Sequence, residues 1–136
     1  MQNGRNGGLG AGDNGMMMAF NEGTANEMNY TATLVPRPKD VHTLWHEYVF
    51  GIGSRKPAKD FTRRERGRVK HQFSQRKVVW DVIKGLLAIG WTADAACNKI
   101  HEVYGERGKR SMTQILNAMR RDRQNGGNLS LRIASL

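Results

Sequence analysis

From Val41 onward the apolar residues recur at the spacing of an α-helix, and this period decides the fold class. Val78, Val79, Val82, Ile83, Leu86 and Leu87 form one continuous apolar face that runs to Ile89, and Gly90 ends it. Phe73 and Val78 stand on either side of Ser74 with hydrophobic-staple spacing, so this helix is predicted to open at Ser74. Upstream, Val41, Leu44, Trp45, Tyr48 and Val49 mark a helix that Asp40 can cap and that Gly51 and Gly53 stop. Downstream, Thr92 caps a segment from Ala93 to Tyr104 whose Ala96, Ile100, Val103 and Tyr104 share a face, and Gly105 lies where a left-handed cap is expected. Ser111 and Gln114 have capping-box spacing for a fourth helix, Met112 to about Gln124, that buries Met112, Ile115, Leu116 and Met119 before Asn125-Gly-Gly127. The expectation is all-α: a small four-helix bundle without internal repeats.

Residues 1 to 38 are rich in Gly, Asn, Met and Thr and carry neither helical nor strand periodicity, so they read as a disordered arm closed by Pro36 and Pro38. The helical domain then spans 39–127. In 128–136, Leu129, Leu131 and Ile133 alternate, as in a tail or a short wing. A chain of 136 residues holds one core of this kind. The single cysteine, Cys97, cannot form an internal disulfide and suits a reducing compartment. No apolar run reaches the roughly 18 residues that a bilayer span requires, and Met16-Met-Met-Ala-Phe20 is too short for a signal-peptide core. These features argue against secretion and against a membrane span, and the expectation is a partner other than a membrane.

Charge narrows the function. The net charge is +10, yet residues 1 to 36 hold only Arg5 against Asp13, Glu22 and Glu27, which leaves +12 on the remainder. A domain so basic repels itself, and a polyanion relieves the repulsion. The density peaks between Arg55 and Lys77, where Arg55, Lys56, Lys59, Arg63, Arg64, Arg66, Arg68, Lys70, Arg76 and Lys77 face only Asp60 and Glu65. A solvated linker or a nuclear import signal has the same composition. Because the run leads into a packed helix, its cations are held near one surface and suit phosphate contact. Arg76 and Lys77 then fall in the first helical turn, where the dipole disfavours cations unless an anion binds.

Phosphate contacts give affinity, whereas base edges give specificity. On the fourth helix Thr113, Gln114, Asn117, Arg120 and Arg121 lie outside the buried stripe, and Gln114, Asn117 and Arg121 fall at i, i+3 and i+7. Gln and Asn can pair with adenine in the major groove, and Arg with guanine. Arg107, Lys109 and Arg110 precede this helix and can clamp the backbone beside it. With the Ala93 to Tyr104 segment as support, the pair resembles a helix-turn-helix with a long turn.

Chemistry of other kinds finds little support. His42 and His46 are four apart, but Glu47 follows the second His instead of lying between them, and Cys97 with His101 would have to be pooled with that pair to make a zinc site. Gly51-Ile-Gly-Ser-Arg-Lys56 lacks the spacing of a phosphate loop. No Ser, His and acid set stands out, and the bundle is too small to enclose a pocket as well as a core. The reading is therefore of a non-enzyme with no cofactor, no metal and no small-molecule substrate.

Leu44-Trp-His-Glu-Tyr48, Gly51-Ile-Gly-Ser-Arg-Lys-Pro57 and Phe73-Ser-Gln-Arg-Lys-Val78 follow one another in an order that resembles the C-terminal DNA-binding domain of the fungal transcriptional activator of glycolytic genes, a domain also attached to the tyrosine recombinases of Crypton mobile elements. Trp45, Glu47, Gly51, Pro57, Arg76 and Lys77 stand at matching places, over roughly residues 41 to 104. Where the family usually carries a Trp-Arg pair in its connector, this chain has the arginine-rich run. The resemblance implies sequence-specific binding of double-stranded DNA and a nuclear or transposon-linked role; the expected location is the nucleus, with other transcription proteins as further partners. His71 is followed three places on by Ser74, and Tyr30, Tyr48 and Tyr104 lack a recombinase context, so a stand-alone or domesticated DNA-binding module is expected. The alternative is an RNA-binding assembly factor with little sequence preference, which would call for exposed aromatic side chains.

Overall fold

The computed structural model describes residues 30–136, and the reading of residues 1 to 29 as a disordered arm lies outside them. Six α-helices follow in chain order: α1 (Val41–Val49), α2 (Arg63–Arg68), α3 (Lys70–Ala88), α4 (Ala93–Tyr104), α5 (Met112–Gln124) and α6 (Leu129–Ala134), with a 3-10 turn at Ala58–Asp60. The compact unit runs from Ala32 to Leu136, and the described residues in it form no sheet. The all-α class holds. The number of helices is larger than four because two short ones carry no long apolar period.

The long helix α3 is the axis of the unit, with α1, α4, α5 and α6 all packed on it. Val78, Val79, Val82, Ile83 and Leu86 meet Val41 and Leu44 of α1, Ile100 of α4, Ile115 and Met119 of α5, and Leu129 and Ile133 of α6 in the main core. Leu87 and Ile89, expected on that face, are exposed. A second apolar cluster joins Leu34, Ala58, Phe61 and Trp80, flanked by Tyr48 and Phe73. Trp80 satisfies its indole N–H on the Leu44 carbonyl at 2.9 Å.

Three caps form as expected, on Asp40, Thr92 and Ser111. Other boundaries differ, each for a physical reason. Ser74 does not open α3, which already starts at Lys70 behind Val69. Arg, Lys, Gln and Glu favour helix almost as well as Leu, so the backbone coils before the apolar stripe begins. The arginine run itself is helical in α2, where Thr62 and Glu65 close a reciprocal capping box. Gly105 keeps an ordinary right-handed φ of −84°, and the left-handed residues come next, at Glu106, Arg107 and Gly108.

The tail is a helix and not a wing. Asn128 caps α6 by accepting from the Leu131 amide, and Leu129 and Ile133, four apart, turn inward while Leu131 faces solvent. Gly85 on α3 makes this docking possible, because a Cβ there would collide with the Ser130 side chain, whose hydroxyl donates to the Val82 carbonyl.

The start of the domain also differs from position 39. Leu34 is buried, and Val35 is held through both backbone groups: its N–H donates to Glu47 Oε2 at 2.6 Å and its carbonyl accepts from Arg76 Nη2 at 2.6 Å. Residues 32 to 38 therefore belong to the folded unit.

α1 and α4 are fastened by His101, whose Nε2 accepts from the Val41 amide at 3.0 Å. Burial, with His42 adding to it, lowers the His101 pKa from the ordinary 6.5. The unfolded chain thus takes up this proton more readily, so the stability it represents is complete above pH 6.5 and is lost as the pH falls below. Urea midpoints measured from pH 7.5 to 5 should fall below pH 6.5. His101→Gln, which keeps an acceptor that does not titrate, should flatten that part of the profile.

Candidate nucleic-acid interface

The fourth predicted helix, α5, displays its polar residues as expected. Ile115, Leu116, Ala118 and Met119 are buried, and Thr113, Gln114, Asn117 and Arg121 are exposed, with Arg120 half-buried beside them. Arg110, Gln114, Asn117 and Arg121 line one shallow cleft of about 250 Å³. The i, i+3, i+7 set therefore shares a surface, and Arg110 joins it.

Gln114 needs a correction. Its Oε1 accepts from the Ser111 amide at 2.8 Å in the capping box, so only its NH₂ is free to donate. Bidentate pairing with adenine uses both groups of an amide. Asn117 carries no such engagement among the described residues and keeps both.

The packing differs from a compact helix-turn-helix. α5 lies mainly on α3 and touches α4 only lightly. One contact between α4 and α5 is polar: the Tyr104 hydroxyl donates to Asp122 at 2.8 Å, and burial together with that carboxylate pushes the phenol well above its ordinary pKa. Because α5 rests on α3, its first turn lies beside the N-terminal part of α3. Ser111, Met112 and Thr113 share a cleft with Gln72 and Gln75 of α3.

The predicted phosphate contacts divide into three groups. Arg63, Arg64, Arg68, Lys70, Arg107 and Lys109 are exposed and, among the described residues, engage no acid. Lys56, Lys77 and Arg110 are ion-paired, with Glu65 at 2.9 Å, Asp81 at 2.8 Å and Glu106 at 2.8 Å. Arg66 donates to the Phe61 carbonyl at 2.8 Å, and Arg55 is half-buried with its Nε unpartnered.

Arg76 is the clear correction. It lies in the second turn of α3, is 5% exposed, and grips Glu47 through Nη1 at 2.8 and 2.7 Å. A guanidinium satisfied by a buried carboxylate and the Val35 carbonyl has no donor directed at a phosphate. Glu47 was outside the apolar stripe by residue type, but it is 1% exposed and sits on the same face as Val41 and Leu44.

One member of each pair comes together, because α1 packs on α4: the His42 and His101 rings stack at 6.0 Å. His42 Nε2 lies 3.1 Å from Asp94 Oδ1, and burial pushes the Cys97 thiol up to about 11. Among the described residues, no group of three or more potential ligands is placed to hold a metal ion.

A family model described as "Transcriptional activator of glycolytic enzymes" matches residues 33–103, just over half of the chain. The chain belongs to this family. The transcriptional-activator family is one of DNA-binding regulators of transcription and not of enzymes. No curated protein and no solved structure matches the chain. The match begins at the Leu34-Val35 segment that the fold holds in place, and α5 lies beyond its end.

Of the residues that carry the family resemblance, Glu47 and Arg76 are buried, Trp45, Gly51 and Pro57 are half-buried, and Lys77 is exposed. Glu47 and Arg76 pair in the core, and Trp45 packs between the two apolar clusters. Gly51 has φ +79°, and a Cβ on it would strike the Arg55 carbonyl, so the turn into Pro57 requires glycine. The family motif marks the frame, while the exposed cations and α5 are the surface it presents.

Proposed function

We propose that this chain binds double-stranded DNA sequence-specifically in the nucleus and regulates transcription together with other transcription proteins. Arg63, Arg64, Arg68 and Lys70, with Arg107 and Lys109, anchor backbone phosphates, and α5 enters the major groove with Thr113, Asn117, Arg120 and Arg121 towards base edges. The observation that carries this reading is the cleft that exposed Asn117 and Arg121 of α5 share with half-buried Arg110 just before it, on a helix whose first turn adjoins Gln72 and Gln75 of α3. Phosphate anchors beside a polar helix face are what sequence reading in a groove requires.

Among the described residues Tyr30 and Phe50 are the exposed aromatics, and the others are packed or half-buried, which leaves few faces for stacking a single strand. Trp80 is buried, Tyr48 is stacked between Trp45 and Trp80, and Trp91 packs against the core. Base stacking needs open aromatic faces.

Selection from a randomised duplex pool, with single-stranded RNA as competitor, tests the proposal. Enrichment of one duplex motif is the expected result, and retention of RNA without any duplex preference would overturn it. Asn117→Ala should then relax the preference at one base position by about 1–3 kcal/mol, read as the ratio of affinities for matched and mismatched duplexes.

A further inference from the structure

α5 is bordered by clefts on two flanks. One holds Arg110, Gln114, Asn117 and Arg121. The other, of about 300 Å³, lies between α5, α3 and the Pro36-Arg37-Pro38 segment, and Arg37, Gln72, Gln75 and Thr113 line it. A helix seated in the major groove has a phosphate strand along each side. Cations on both flanks would therefore face phosphates. On the second flank the cation facing the cleft and free to act is Arg37, since Arg76 there is consumed by Glu47.

Arg37 is presented firmly. Proline on each side restricts the backbone, and two residues earlier Val35 is clamped at 2.6 Å on both its N–H and its carbonyl. Its side chain is exposed and has no hydrogen bond or ion pair among the described residues. Gln72, exposed, and Gln75, half-buried, add amide donors from α3, equally unengaged. One cation and two amides suit the oxygens of a phosphodiester.

We infer that Arg37 is a DNA-backbone contact that clamps the strand on the side of α5 opposite Arg110, so that the segment before α1 and the recognition helix grip the duplex together. This inference rests on the proposed duplex binding. It extends the interface to a segment outside the basic run and outside α5.

The test uses the full chain and the best duplex from selection, with binding measured at 0.05 to 0.3 M salt. Arg37→Ala should weaken binding of all duplexes alike, by about 5-fold at 0.15 M, and should reduce the slope of log affinity on log salt by about 0.9. Arg37→Lys should restore most of that slope, and the melting temperature should stay at the wild-type value. If the wild type binds the duplex but Arg37→Ala keeps its affinity and salt slope, the inference fails while duplex binding stands. If the wild type retains no duplex, both fail. A weaker Arg37→Ala whose salt slope is unchanged would also overturn the clamp.

Discussion

Arg76→Ala is expected to lower the folding free energy by about 3–5 kcal/mol, a large share of the total for a domain of this size. The reason is the carboxylate it would leave behind. Glu47 is 1% exposed, and its oxygens are supplied by Arg76 Nη1 and by the Val35 amide. Without the guanidinium, an anion remains in the core with one neutral donor. Glu47→Ala should cost a similar amount by stranding the cation. The double variant Glu47→Leu, Arg76→Met should recover much of the loss, because no uncompensated charge is then buried. Urea unfolding followed by circular dichroism measures all three. If Arg76→Ala weakened DNA binding and left the midpoint unchanged, the pair would not be the structural clamp described above.

The quadruple replacement of Arg63, Arg64, Arg68 and Lys70 by Ala should leave stability nearly unchanged and affect affinity instead. These side chains are exposed and engage no acid among the described residues, so little in the fold depends on them. Each lost phosphate contact removes about 0.9 from the slope of log affinity on log salt, so four remove roughly 3.6. At 0.15 M salt this corresponds to a loss of about 10²- to 10³-fold, equal for all duplexes. Titrations of matched and scrambled duplexes at several salt concentrations check it. A loss confined to the matched duplex would show that these cations read sequence.

Much of this molecule was legible before its structure. α1, α4 and α5 followed from apolar spacing and capping residues, since both signals are local. α2 left a signal too, because Thr62 and Glu65 have the same spacing as Ser111 and Gln114, but a run of arginines without an apolar stripe has the composition of a connector. α6 was hidden because alternation of Leu129, Leu131 and Ile133 also contains an i, i+4 pair, and only the surface of α3 decides between them. The Glu47 and Arg76 pair was beyond local pattern altogether. The partners are 29 residues apart, and each by itself looks like a solvent-facing charge.

Several of the residues that betray kinship in this chain serve the fold itself. Trp45, Glu47, Gly51 and Arg76 hold the frame, and the matched region ends before α5 begins. On the proposed reading, substitutions along α5 would alter the DNA site selected and leave this inner skeleton intact.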